Sequence, residues 1–351
     1  MSSTGIEHVA VAAGEEDQRL DRWLRRRYPH VPQGLVERLC RRGEIRVDGG
    51  RVKPATRLQE GQTVRVPPLP ARATTPAVPR AGADISAADA EMIRAAVIYR
   101  DADVIALNKP PGLAVQGGSG TLRHVDGLAE ALRFDAAEKP RLVHRLDRDT
   151  SGLLLLGRSA RAAAGLARAF QARETRKIYW AVVAGVPSPR AGTIRYGLVK
   201  APGHGSGGEG ERMHVVPPDR IAATEGAKRA TTDYAVLEAA GRRAAWVALH
   251  PVTGRTHQLR AHMAAIGHPI AGDGKYGGSG QENLGDGWGA QLGGAVSRKL
   301  HLHARGLRLV HPRSGALLDL TAPLPEHMAR TWDLFGWTAA EAPADPFTEI
   351  Q

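Results

Sequence analysis

The sequence predicts an α+β protein in two unequal parts, a small basic module followed by a larger domain of mixed strands and helices. Three observations carry that expectation. Two short segments near the N-terminus place apolar residues at helical spacing among many arginines, and short strand-like runs follow them. A stretch rich in Pro, Ala, Thr and Ser, from Pro67 to about Ala90, has no apolar period and reads as a linker. Beyond it, alternating or fully apolar runs of strand length are interleaved with a few helical ones. The expected division is 1–16 as a strand and tail, 17–67 as the basic module, 68–90 as linker, 91–340 as the large domain and 341–351 as a tail.

The totals narrow the class. With 351 residues, 42% of them hydrophobic, the chain can build a sizeable core. A formal charge of +12 suits a polyanionic partner such as nucleic acid. Residues 17–66 hold 13 Lys or Arg against 6 Asp or Glu, a local excess of +7, so more than half of the total sits in a seventh of the length. The single cysteine, Cys40, excludes an internal disulfide and points to a reducing compartment, the cytoplasm. No run of eighteen apolar residues and no leader-like N-terminus is found, so no membrane role is expected.

In the basic module, His8–Ala13 is strand-like. Leu20, Trp23 and Leu24 mark one helix with Arg19, Arg22, Arg25, Arg26 and Arg27 around it. Pro32 opens a second helix near Gln33–Arg42, faced by Leu35, Val36 and Leu39 and stopped by Gly43. Glu44–Val47 and Thr63–Val66 read as strands, with Asp48-Gly49-Gly50 as a hairpin turn.

In the large domain, Val97–Tyr99 and Val104–Leu107 read as strands and Asn108–Leu113 as a rigid turn. Val125–Leu132 reads as a helix. Leu142–Gly157, LVHRLDRDTSGLLLLG, then sets a polar loop against four leucines, a run expected to be a strand buried on both faces. Asp147 lies in that loop between Arg145 and Arg148, and a neighbouring guanidinium favours the ionised form of a carboxylate. On composition alone Asp147 is equally well a turn-capping residue. Ser159–Thr175 follows as an amphipathic helix, Lys177–Val183 as a strand, Ala201–Gly210 as an exposed loop, Trp246–His250 as a strand and His257–Ile266 as a helix. Arg298–Ala304 is the last strand considered. Paired histidines (His257 with His262, His301 with His303) lack a third ligand at usable spacing, so no metal is expected.

The motif HRLDRDTSGLLLL resembles the central motif of the RluA family of pseudouridine synthases. NKPPG, KIYWA, TGRTHQLRAH with GHPIAGD, and RKLHLHA resemble further motifs of that family. RLDRWLRRR with VERLCRRGEIRVDG resembles the S4 RNA-binding module. The likeness covers most of the chain. It implies a small S4 domain plus a catalytic domain built on a mainly antiparallel mixed β-sheet with flanking helices and a central cleft. It also implies isomerisation of uridine to pseudouridine in RNA without cofactor or metal, by a monomer.

In the roles so implied, Asp147 is the catalytic carboxylate, Arg255 pairs with it, and Tyr179 stacks on the base and helps remove the C5 proton. Arg145 fills the gap left by a flipped base. Lys109 and His257 contribute to substrate binding, and Leu300, with Leu302 as the alternative, forms the apolar floor of the uracil pocket. Arg22, Arg26, Arg38, Arg41 and Arg42 lie against RNA phosphates. Gln116 stands where many relatives carry histidine. Among branches, the junction and central motifs are most similar to the RluC branch, which acts on 23S rRNA, with an RluD-like branch next. A non-catalytic ribosome-assembly factor that kept the fold fits the charge equally well. A nuclease using Asp147 and Asp149 lacks a second acidic cluster.

Overall fold

The computed structural model describes residues 5–70, 85–117, 123–172, 174–201, 212–277, 295–343 and 345–347. The chain divides into two compact units, Met1–Asp84 and Ile85–Gln351. The loop expected at Ala201–Gly210 lies, beyond Ala201, outside the described residues.

The N-terminal unit has the order β1 (Glu7–Ala10), α1 (Leu20–Arg27), α2 (Gln33–Arg42), β2 (Arg46–Val47), β3 (Gly50–Arg51) and β4 (Thr63–Val66). Its four strands pair antiparallel in the order β1-β4-β2-β3. Leu20, Trp23 and Leu24 from α1 and Val36, Leu39 and Cys40 from α2 turn inward onto Val47, Val64 and Val66. The arginines at the intervening positions are left on the surface, as a 3.6-residue period requires. Gly43 ends α2 in the left-handed region (φ 73°), and Asp48 and Gly49 (φ 48° and 78°) make a two-residue hairpin turn in which both residues are left-handed. Val11, expected in a tail, is 2% exposed in this core, so the N-terminal strand is part of the module.

The second unit begins earlier than expected. Ala87–Ala95 is a helix, α3, lying partly inside the stretch read as linker. Ser86 caps it by accepting from the Asp89 N–H (3.1 Å). Only Ile93 of α3 is buried, so no apolar stripe betrayed it. Then follow β5 (Val97–Arg100), β6 (Val104–Lys109), α4 (Val125–Leu128) running into a 3-10 turn at Ala129–Leu132, β7 (Arg141–Leu142), β8 (Ser151–Gly157), α5 (Ala160–Gln171), β9 (Arg176–Ala184), β10 (Ala191–Lys200), β11 (Met213–Val216), β12 (Lys228–Ala240), β13 (Ala244–Pro251), α6 (Gln258–Ala265), β14 (Leu302–Val310), β15 (Leu317–Thr321) and α7 (Glu326–Phe335).

These strands form one sheet in the order β11-β10-β12-β13-β9-β14-β8-β6-β5, with β15 beside β14 and β7 beside β8. Every pairing is antiparallel except β14 with β8. Every residue of β8 is buried, as a strand covered on both faces demands. On β9, Ile178, Trp180 and Val182 enter one core with Trp246, Trp332 and Trp337, while Tyr179, Ala181 and Val183 enter another with Leu249, Leu259 and Leu302. α7 covers the first face and α6 the second, which is why this strand is apolar throughout. The segment expected as a C-terminal tail is part of the domain as far as Phe347, which is 2% exposed, and Asp345 pairs with Arg176 at 3.1 Å.

The parallel seam between β8 and β14 is two residue pairs long, His303 with Ser151 and Ala304 with Gly152. The residues just before it on each strand, Thr150 and Leu302, line a cavity of about 550 Å³. Gly152 sits at φ 104°, and a Cβ there would lie 2.3 Å from the Ala304 carbonyl oxygen, so only glycine lets the strands meet.

Candidate active site

The loop before β8 brings Asp147 to the cavity wall, with 24% of its side chain exposed. Three hydrogen bonds from one ammonium anchor this loop: Lys109 Nζ donates to the carbonyls of Pro110, Leu113 and Arg148, each at 2.9 Å. The Gly112 N–H also donates to the Arg148 carbonyl (3.0 Å), and the Thr150 N–H to that of Asp147 (3.2 Å). Lys109 was expected to bind substrate. It is instead fully enclosed, and it ties the Asn108–Gly112 turn to the peptide one residue beyond Asp147. Burial pushes its pKa down to about 7, against the attraction of Asp149 and Asp147.

The residue that pairs with Asp147 is Arg260, not Arg255. Arg260 Nη1 lies 3.2 Å from Asp147 Oδ2, and its Nε and Nη2 form a fork with both oxygens of Asp273 at 2.7 Å each. Arg260 and Asp273 are buried, with 6% and 0% of their side chains exposed. Burial alone would lower the Arg260 pKa, but Asp273 and Asp147 more than offset it and raise it. Arg255 is exposed on the cavity rim, and its Nε donates to the Arg229 carbonyl (3.3 Å). The reason is local: Arg255 lies in the turn before α6, whereas Arg260 lies on the helix, three residues after His257. A Gln258 clamp holds that turn, its Oε1 accepting from Thr253 Oγ1 (2.7 Å) and the Arg255 N–H (3.1 Å), its Nε2 donating to the Thr231 carbonyl (2.8 Å).

His257 caps α6 in the left-handed region, φ 52°, a conformation that a non-glycine residue holds only under surrounding constraint. Its Nε2 lies 3.9 Å from Asp147 Oδ2. Burial lowers its pKa, partly opposed by Asp147.

Tyr179 enters the cavity from β9. Burial, and then the charge of Asp147, raises its pKa, so the phenol is neutral. Of the two leucines expected at the floor, Leu302 lines the cavity and Leu300 does not: Leu300 is buried in the core beneath, before β14 begins. The opposite wall joins His144, Phe170 and Lys177, none of them singled out by sequence. The His144 ring stacks on Phe170 (centroids 4.2 Å apart, 15°), and Lys177 Nζ sits 5.0 Å from the Phe170 centroid. His144 Nε2 accepts from the Leu155 N–H (2.9 Å), and burial pushes its pKa down to about 3. Arg145 is exposed on the rim, and Gln116 also lines the cavity.

Residues 103–265 match the model of the family described as RNA pseudouridylate synthase, and residues 18–64 match that of the S4 domain. The protein of Vibrio cholerae named ribosomal large subunit pseudouridine synthase C is 34% identical over 329 residues, covering 93% of this chain and 95% of its own. Proteins of the same name from Yersinia pestis and Escherichia coli are 36% identical over 324 residues and 35% over 331. They cover 92% and 93% of this chain, and 93% and 95% of their own. The chain belongs to the RNA pseudouridylate synthase family. Among solved structures, human RNA pseudouridylate synthase domain containing 4 matches with a TM-score of 0.56 at 29% identity, over 70% of this chain and 95% of that one. The protein is thus an RNA pseudouridine synthase, an isomerase, carrying an S4 domain.

In the S4 domain of this synthase, Arg22, Arg26, Arg38, Arg41 and Arg42 are all exposed. Arg22 and Arg26, one helical turn apart, line a surface recess with Arg19 and Arg57. Arg19 pairs with Asp21 (2.6 Å) and Arg57 with Asp17 (2.9 Å).

The histidines considered as metal ligands are engaged in hydrogen bonds: His262 with Thr232 Oγ1, His301 with Thr331 Oγ1 and the Lys299 carbonyl, His303 with Ser151 Oγ and the Ala322 carbonyl. Among the described residues, Asp101, Asp103 and His311 come together closely enough to hold an ion. Arg313 takes both oxygens of Asp103 (2.6 and 2.8 Å), and Asp101 accepts from Tyr99 and from the N–H groups of Asp103 and Val104. This group braces the β5–β6 turn against the β14–β15 turn. None of the described helices is long and apolar enough to cross a membrane.

Proposed function

We propose that this synthase converts uridines of large-subunit (23S) ribosomal RNA to pseudouridine, in the cytoplasm and as a monomer, with Asp147 as the catalytic carboxylate. The observation that carries the reading is one cavity in which Asp147 is accessible, held by Arg260 at 3.2 Å, and which Tyr179 also lines. Names shared by relatives matched over nearly their whole length support the substrate.

The reaction breaks N1–C1′, turns the uracil and joins C5 to C1′, with a proton leaving C5 and one taken up at N1. A stacked base has no room to turn, so the uridine enters the cavity flipped out. Asp147 then attacks or deprotonates the ribose side, and Arg260, shared with Asp273, fixes its position and offsets part of its charge. Tyr179, a neutral phenol, supplies the ring against the base. Stacking is therefore the better-supported half of its expected role, since a protonated hydroxyl is a poor acceptor for the C5 proton. Leu302 gives the apolar floor, and Arg145, planar and on the rim, stacks where the base left the helix. The S4 arginines contact phosphates and add affinity without reading sequence.

The test pairs purified Asp147→Asn and Asp147→Ala enzymes with rRNA. Product disappears while RNA binding stays within about twofold, because only one partly exposed carboxylate is lost from a strongly cationic protein. Conversion of uridine by Asp147→Ala overturns the assignment. Mapping pseudouridine in RNA from a strain lacking the gene checks the substrate, and loss of a tRNA signal in place of a 23S signal overturns that part.

A further inference from the structure

A polar chain at the edge of the cavity takes no part in the chemistry above. Tyr276, on the turn that follows Asp273, has its hydroxyl 2.8 Å from the Met213 N–H and 3.0 Å from His257 Nδ1. Its ring has two guanidinium groups close by, Arg260 Cζ at 5.4 Å and Arg212 Cζ at 5.5 Å from the centroid, and meets the His257 ring edge-on (5.7 Å, 85°).

A phenol oxygen has two lone pairs and one hydrogen. The Met213 N–H occupies one lone pair, since a backbone amide can only donate. Among the described residues, His257 Nδ1 is the acceptor left for the hydroxyl hydrogen. An imidazole that accepts at Nδ1 carries its proton on Nε2. That nitrogen is the one 3.9 Å from Asp147 Oδ2. The other tautomer would set the bare Nε2 lone pair against the carboxylate and leave the hydroxyl hydrogen without an acceptor among the described residues. Both ends of the chain therefore select the same arrangement.

We propose that Tyr276 is a positioning residue: by donating to His257 Nδ1 it holds this imidazole in its Nε2–H form, with that N–H turned toward Asp147. The carboxylate then has a neutral N–H at 3.9 Å, just beyond direct hydrogen-bond distance, and the Arg260 guanidinium bonded to it at 3.2 Å. The left-handed backbone of His257 serves the same end, because it swings the ring from the helix start across to the loop before β8. The groups facing the imidazole are Asp147, Arg260, Lys275, Asp273 and Tyr276. The kinetic consequence rests on Asp147 being the catalytic carboxylate; the tautomer does not.

The test uses the full chain with histidine labelled at both ring nitrogens, and long-range proton–nitrogen spectra assigned by comparison with His257→Gln. In the unaltered protein near neutral pH, His257 shows a bare Nδ1 and a protonated Nε2. Tyr276→Phe keeps the ring near the two guanidinium groups and removes only the hydroxyl. It shifts the His257 signals toward a mixture of tautomers and lowers kcat roughly tenfold, the loss of one aligned hydrogen bond, with KM changed less than about twofold. An Nδ1–H tautomer in the unaltered protein overturns the inference, whether or not Tyr276→Phe folds. So does a fall in kcat with the tautomer unchanged, which would make Tyr276 a purely structural support for Met213. A chain that shows the expected tautomer but no activity on rRNA contradicts the substrate assignment and leaves this inference standing.

Discussion

Replacing Arg260 with glutamine separates two jobs that one guanidinium performs. It holds Asp147 at 3.2 Å and closes a fork on Asp273 at 2.7 Å. Asp273 has no exposed side-chain surface, so Arg260→Gln strands a buried carboxylate that, among the described residues, keeps the Lys275 and Tyr276 N–H groups as donors. Breaking a buried pair by removing one partner costs about 3–5 kcal/mol. In a domain of this size that corresponds to a fall in Tm of roughly 6–20 °C. The double variant Arg260→Gln/Asp273→Asn replaces the charge pair by a neutral one and recovers most of that stability. Activity behaves differently. The bond to Asp147 is charge-assisted and worth about 1.5–3 kcal/mol, so kcat falls roughly 10- to 150-fold in both variants. Arg255→Gln, on the rim, lowers stability by no more than about 0.5 kcal/mol. Thermal melts and single-turnover rates on one rRNA substrate read all three. A double variant with full activity, or an Arg255→Gln enzyme that loses more activity than Arg260→Gln, would show that Arg260 is not the working partner of Asp147.

Three further outcomes are expected. The Lys109 ammonium has its pKa depressed from 10.5 to about 7 by burial, so the unfolded chain binds more protons than the native one between those values and stability rises with pH across that window. Lys109→Met removes up to about 1.4 kcal/mol per pH unit of that slope, seen by denaturant melts from pH 7 to 10; an unchanged slope would show that Lys109 is not the group responsible. Gly152→Ala meets the Ala304 carbonyl at 2.3 Å in a left-handed backbone, and the combined strain of about 2–5 kcal/mol shows as a lowered melting temperature or insoluble protein, whereas a native-like melt would mean that the seam is not tight. Arg22→Gln/Arg26→Gln weakens RNA binding and reduces the slope of log K against log salt by about 0.7–0.9 for each phosphate no longer neutralised; an unaltered slope would take these two side chains off the RNA.

How much the sequence disclosed varies with the kind of signal. β8 is legible because four leucines ended by Gly157 make an apolar run of strand length with no polar face, and α1 and α2 are legible because Leu20, Trp23, Leu24 and Val36, Leu39 keep a helical period. α3 is not, since it buries one residue and has no stripe to detect. Lys109 was expected to bind substrate, and the three carbonyls gathered around it in the fold show why it is enclosed instead. His144 lies within the HRLDRDTSGLLLL motif, but Phe170 and Lys177 come from α5 and β9, and no pattern in the chain announces that the three share a wall.

The family, the two-part organisation and the choice of Asp147 as the candidate carboxylate followed from the order of residues, because motif spacing and apolar period are local properties. The partner of that carboxylate was decided by the folded chain alone. Arg255 and Arg260 lie five positions apart in one motif, and composition treats them alike. The turn clamped by Gln258 leaves the first on the rim, while one helical turn of α6 delivers the second to a buried fork with Asp273, within reach of Asp147. Leu300 and Leu302 divide in the same way, since which of two nearby side chains meets a cavity depends on where β14 joins its neighbours. Distances between groups remote in sequence are set by how sheets and helices pack.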